Sequence, residues 1–139
     1  MVRSRATRAW ALGHRMATSY GAIAQVMSVY FDGLYHSDSS RLASVFHARA
    51  HYVCPTEDAL VYRTIAEYFP IVDARPSPAS RGEPRHDRIV SIELGGPALA
   101  FVRAECSIGP KFLTDFLTLI RTDDRWQIVS KVFHFDHRS

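Results

Sequence analysis

Two cysteines, Cys54 and Cys106, are all that this 139-residue chain contains. That is too few for a disulfide framework, and a reducing compartment is the default expectation, here the cytoplasm. No apolar run approaches the length of about 18 residues that a bilayer-spanning helix needs, so no membrane partner is expected. Acidic residues are missing from the first 18 positions, which hold Arg3, Arg5, Arg8 and Arg15. The other 13 basic residues face all 14 acids, so the formal net charge of +3 belongs to the N-terminus. A basic stripe for nucleic acid is therefore not expected. Glycine-rich phosphate loops, a nucleophile elbow and internal repeats are also lacking, which removes the common nucleotide-binding and serine-hydrolase signatures.

What is present suits one soluble domain: 47% hydrophobic and 22% charged residues. The expected organisation is an N-terminal extension over 1–18 and a single domain over 19–139. The extension lacks the apolar core of a secretory signal; its Arg/Ser/Thr content resembles a transit peptide, and a frayed or docked terminus is the plainer reading.

Ile23, Val26, Met27, Tyr30 and Leu34 form one apolar stripe, which predicts a helix from about Ser19 to Tyr35. Asp38 reads as the N-cap of a second short helix with Leu42, Val45 and Phe46 facing in. His51–Cys54 reads as a strand stopped by Pro55. Ile65, Tyr68, Phe69 and Val72 predict a third helix that Pro70 kinks or ends near Phe69. Residues 75–85 are a loop on composition. Four strands follow, over 87–94, 98–108, 111–122 and 125–135, separated by Gly95-Gly96-Pro97, Gly109-Pro110 and Asp123-Asp124 turns. Helices first and an antiparallel sheet after is an α+β order.

The last two strands are apolar on both faces. Phe112, Phe116 and Ile120 oppose Leu113, Leu117 and Leu119; Trp126, Ile128 and Val132 oppose Val129, Phe133 and Phe135. A sheet with one solvated face should alternate. Helices can cover one face only, so a homodimer through the open sheet face is expected.

The Tyr30–Asp38 run, the Asp38-x-x-x-Leu42-x-x-x-Phe46-His47 spacing, the Phe112–Leu119 strand and the closing Trp126–Phe133 segment together resemble the nuclear transport factor 2-like superfamily. The match spans about residues 19–136 and is closest to an uncharacterised branch named for lumazine binding, a label that carries no ligand. The resemblance implies three N-terminal helices packed on a strongly curved antiparallel sheet, forming a cone with an internal pocket.

Ketosteroid isomerase, a distant member, allows a residue-by-residue comparison. Its oxyanion hole pairs a tyrosine with a protonated aspartic acid, and another aspartate is the base. Tyr30 stands at the tyrosine position, eight residues before Asp38. Cys54 stands at the base position and Thr118 at the acid position. With one of three groups kept, steroid isomerisation is not expected; proton transfer needs a base of matched pKa.

In that register Lys131 shares the inward face with Phe133 and Phe135, within reach of Glu105 or Arg103. Asp115, opposite Thr118, falls to the dimer side. The candidate pocket is Tyr30, Cys54, Glu105, Phe116, Thr118, Lys131, Phe133 and Phe135. It suits a mostly apolar ring compound, oriented by Tyr30, Thr118 and Lys131. The matching structural reading is a salt bridge at the pocket mouth, with Tyr30 bonded to backbone. His47 with His51, and His134 with Asp136 and His137, do not converge on a rigid frame, so no metal and no cofactor are expected. Two functions stay open. One is small-molecule binding with cofactor-independent isomerase, dehydratase or cyclase chemistry. The other is a non-catalytic dimerisation or protein-association module.

Overall fold

The computed structural model describes residues 5–138. Helix α1 spans Arg5–Tyr35 and α2 spans Ser39–Ala43; strands β1 (Phe46–Cys54) and β2 (Val61–Thr64) precede α3 (Ile65–Ala74). A 3₁₀ turn at Ala79–Arg81 leads to β3 (Arg88–Leu94), β4 (Leu99–Ile108), β5 (Lys111–Thr122) and β6 (Arg125–His137). Among the described residues the strands form one six-stranded sheet ordered β2-β1-β6-β5-β4-β3. None of the described helices is long and apolar enough to cross a membrane.

Local chemistry explains most element ends. Asp38 caps α2 by accepting hydrogen bonds from the Ser40 and Arg41 amides. Thr64 and Glu67 form a capping box at α3. Asp123 and Asp124 both take positive φ, the geometry of a tight hairpin turn whose twist matches its strands. Gly33 brings α1 and α2 together, because a Cβ there would lie 2.6 Å from the Leu42 side chain.

Several expectations need correction. Helix α1 begins at Arg5, not near Ser19. Val45 and Phe46 lie beyond α2, and Phe46 opens a strand. Strand β2 lies unforeseen between β1 and α3, and of the two outcomes open at Pro70 the helix end does not occur, since α3 runs on to Ala74. Helix α3 thus follows two strands, so the helices are not all N-terminal to the sheet. The sheet is mixed, because β1 runs parallel to β6 while every other neighbour is antiparallel. Parallel neighbours need a long connection, and here everything from β2 to β5 separates the two. The sheet stays open, with β2 and β3 as its edges.

The helices cover one face. Ile23, Met27, Tyr30 and Leu34 of α1 and Tyr68 and Val72 of α3 pack on Val102, Ala104, Leu113, Leu117, Ile128 and Phe133. A bulge decides what faces in along β6. Thr118 pairs with Ser130 but Leu119 pairs with Ile128, which leaves Val129 as the extra residue. Ile128 and Lys131 are therefore both buried, three apart in sequence, while Val132 is turned outward.

Candidate functional site

Two groups of polar side chains lie beneath the inner face of the sheet. The first is a buried cluster. Asp115 of β5 shares the parity of Leu113, Leu117 and Leu119 and is wholly enclosed. Tyr30, projecting from α1, donates a 2.5 Å hydrogen bond to Asp115 Oδ2 across 85 positions of sequence. The other carboxylate oxygen, Oδ1, is buried without a hydrogen-bond partner. Lys131 lies opposite Leu117 in the β5–β6 register, diagonal to Asp115, and is 1% exposed.

The Lys131 ammonium sits among four rings. Nζ lies 4.9 Å from the centre of Phe133, 5.2 Å from Tyr30, 5.4 Å from Tyr52 and 5.6 Å from Tyr68. Ring faces attract a cation, more so when water is excluded. Burial alone would push the lysine towards neutrality. The Asp115 carboxylate, aided by Tyr68 and Tyr52, outweighs it and holds Lys131 charged. Tyr30 is held neutral, first by burial and then by the Asp115 charge. Burial and Asp115 also push the Cys106 thiol well up, so it is not a thiolate nucleophile. A protonated, enclosed lysine cannot attack a carbonyl.

The second group lines a cleft of about 440 Å³. Tyr52 and Cys54 of β1, Leu113 of β5 and Phe133 and Phe135 of β6 form its apolar wall. Arg63, Arg75, Arg81 and Lys111 supply cations, against one carboxylate, Glu57. The elements that converge are the end of α3, the 3₁₀ turn and the β4–β5 hairpin. Tyr52 and Phe133 belong to both groups, so the same two rings wall the cleft on one side and hold Lys131 on the other.

Of the eight expected pocket residues, Cys54, Phe133 and Phe135 line this cleft. Tyr30 and Lys131 come together behind it and do not line it. The remaining three are displaced to the outer face. Phe116 is 45% exposed and packs on Phe101 at 5.5 Å; Thr118 shares its parity. Glu105 alternates with the buried Ala104 and Cys106 and pairs with Arg88 at 3.7 Å, so it does not approach Lys131. Both faces of β5 are apolar, so the pattern could not say which turns inward, and the family register chose the Phe116 face.

Asp115, Tyr52, Arg63 and Arg75 were not foreseen. The spacing of Asp115 between Leu113 and Leu117 was the available signal, and so was the shared parity of Tyr52 and Cys54. Arg75 opens a segment that reads only as a loop. Its place in the cleft follows from where α3 ends.

A family model described as "Putative lumazine-binding" matches residues 18–134. Aldolase FrzH of a Cladobotryum species is 26% identical over 123 residues, covering 87% of this chain and 94% of that protein. An NTF2-like protein of unknown function from Shewanella baltica superposes with a TM-score of 0.77 at 25% identity, covering 86% of this chain and 95% of the other. An NTF-2 like protein of unknown function from Silicibacter pomeroyi superposes with a TM-score of 0.75 at 20% identity, covering 87% and 98%. With that match running from the middle of α1 nearly to the end of β6, the chain belongs to the lumazine-binding-like family of NTF2-like α+β domains.

Proposed function

We propose that this domain binds a small, mostly apolar ring compound in the cleft bounded by Tyr52, Leu113, Phe133 and Phe135. The single observation that carries the reading is the cleft itself, about 440 Å³ with Tyr52, Leu113, Phe133 and Phe135 as an apolar wall and cationic side chains beside it. That is the form of a small-molecule site. Its wall is stiffened from behind, because Tyr52 stacks on Tyr68 at 4.3 Å and both rings hold the Lys131 charge.

The chemistry this reading extends to is proton transfer on the bound ring compound, as in isomerisation, dehydration or cyclisation. The similarity to a protein named as an aldolase adds carbon–carbon bond chemistry to that range. A Schiff base on Lys131 is not part of it, since the lysine is protonated and shut away from the cleft.

Thermal shift against a library of aromatic metabolites tests the binding. Several related compounds should raise the melting temperature of the wild type and not of Leu113→Trp, which fills the cleft. Stabilisation that survives Leu113→Trp would place binding elsewhere.

A second reading, association through the outer face, rests on a different observation. Leu99, Phe101, Phe116 and Val132 are exposed there. Arg88 and Glu105 add charges of both signs to that face. A surface carrying both signs can pair with itself about a two-fold axis, so the partner we infer is a second copy of this chain. Sedimentation of the wild type against Phe116→Ser tests it; a wild type that is monomeric at high concentration rejects it.

A further inference from the structure

We propose that Arg75 is the anchor for a carboxylate carried by the ligand of this cleft, so that the domain selects ring compounds bearing an acid group. The proposal rests on the reading of the cleft as a ligand site and narrows it.

The argument starts from one side chain. Arg75 follows the last residue of α3, Ala74, and lines the cleft. Its Nε and Nη2 atoms are buried and have no hydrogen-bond partner. These two donors lie on one edge of the guanidinium, parallel and coplanar. A planar two-donor edge matches the two oxygens of a carboxylate, the geometry of a bidentate pair. Buried donors are almost always satisfied within a fold. The residue lines the cleft while these two nitrogens are each sealed from solvent, so an acid group reaches them by displacing part of the cleft wall.

The other cations of the cleft are already engaged. Lys111 Nζ lies 4.4 Å over the Phe135 ring, Arg63 lies 5.8 Å from the centre of Tyr52, and Arg81 is 3.8 Å from Glu83. They bias the cleft towards an anion without supplying the specific contact. Arg75 lines the same cleft as Tyr52 and Phe133. A ligand whose acid group meets Arg75 would therefore lay its ring against Tyr52 and Phe133. A phosphate can also take a guanidinium edge through two oxygens, so a phosphate ester is the competing probe.

Calorimetric titration with 2-naphthoate, 2-naphthamide and 2-naphthyl phosphate tests the proposal. The acid should bind the wild type about tenfold tighter than the amide, because only the acid accepts both hydrogen bonds with charge. Arg75→Met should bind both alike. Arg75→Lys keeps the charge but loses the fork, and should lose most of the preference while folding as the wild type by circular dichroism. Arg121→Gln, at the far β5–β6 hairpin, should keep it. Equal wild-type affinity for acid and amide, or a preference that persists in Arg75→Met, overturns the carboxylate proposal alone. Tighter binding of the phosphate ester overturns it in favour of a phosphoryl ligand. If none of the three compounds binds, the reading of the cleft as a ligand site fails, and this proposal with it.

Discussion

The buried cluster and the cleft share two aromatic rings, yet the first answers its cation with a carboxylate of the same chain and the second leaves two donors of a cation unpartnered. In the cluster, Asp115 holds Lys131 charged, the Tyr30 hydroxyl is bonded to one carboxylate oxygen while the other has no partner, and four rings surround the ammonium. In the cleft, Arg75 presents an edge of donors to nothing in the chain. A buried cation answered by a carboxylate of the same chain contributes to shape. Unpartnered donors on a residue that lines a cleft can serve recognition, and they destabilise the empty protein. On the reading proposed for the cleft, Tyr30 and Asp115 brace its wall and the ligand binds beside them.

The comparison breaks most sharply at Lys131. Lys131→Met leaves the Asp115 charge buried without compensation and should destabilise by about 3–5 kcal/mol in urea denaturation. Adding Asp115→Leu should restore most of that loss, because the uncompensated charge is gone. If the double variant is as unstable as the sum of the single ones, the two residues do not act as a unit.

Alkaline pH probes the same cluster without mutation. Cys106, Tyr30, Tyr52 and Lys131 all have folded-state pKa values raised above their ordinary values of 9.0, 10.0, 10.0 and 10.5. In each case the folded state holds its proton more tightly than the unfolded chain. The stability they contribute is complete below about pH 9 and falls as pH rises through 9 and above. The urea midpoint should drop across pH 9–11 in the wild type, and less steeply in Tyr30→Phe. A flat profile to pH 11 would contradict the burial of these groups.

At Arg75 the effect should have the opposite sign. Arg75→Met removes buried unpartnered donors and should stabilise the empty protein by about 1 kcal/mol while abolishing the acid preference. A loss of stability would show that the guanidinium is structural and would move Arg75 into the same category as Lys131. The smallest change is expected outside both regions. Phe116→Ser, on the exposed face, should alter monomer stability by no more than about 0.5 kcal/mol, measured in dilute solution. A larger loss would mean that Phe116 is packed in a way its exposure does not show.

Features governed by neighbours in the chain could be read from it directly. Asp38 as a cap, the Asp123-Asp124 turn, the Ile23–Leu34 stripe and the inward pairing of Lys131 with Phe133 all depend on spacings of a few residues. The errors fall where the outcome depends on distant partners. The sequence leaves open whether Pro70 ends α3, and the helix continues because Ile65, Tyr68 and Val72 bury on both sides of it. Val129 has no local mark of a bulge, yet it places Ile128 and Lys131 on the same face. Thr118 was chosen over Asp115 by an assumed register, when both faces of β5 were apolar and either could have turned in.

By itself, the sequence determined an α+β chain, the Asp38 cap, the three hairpins of the last four strands and the alternation along them, because these follow from backbone geometry within a few residues. Only the tertiary structure decided that β1 lies parallel to β6, that Asp115 meets Tyr30 and that Arg75 closes one side of a cleft. Those outcomes turn on which of two apolar faces the helices cover. That choice is made by the packing energy of the whole core, to which no single segment holds the answer.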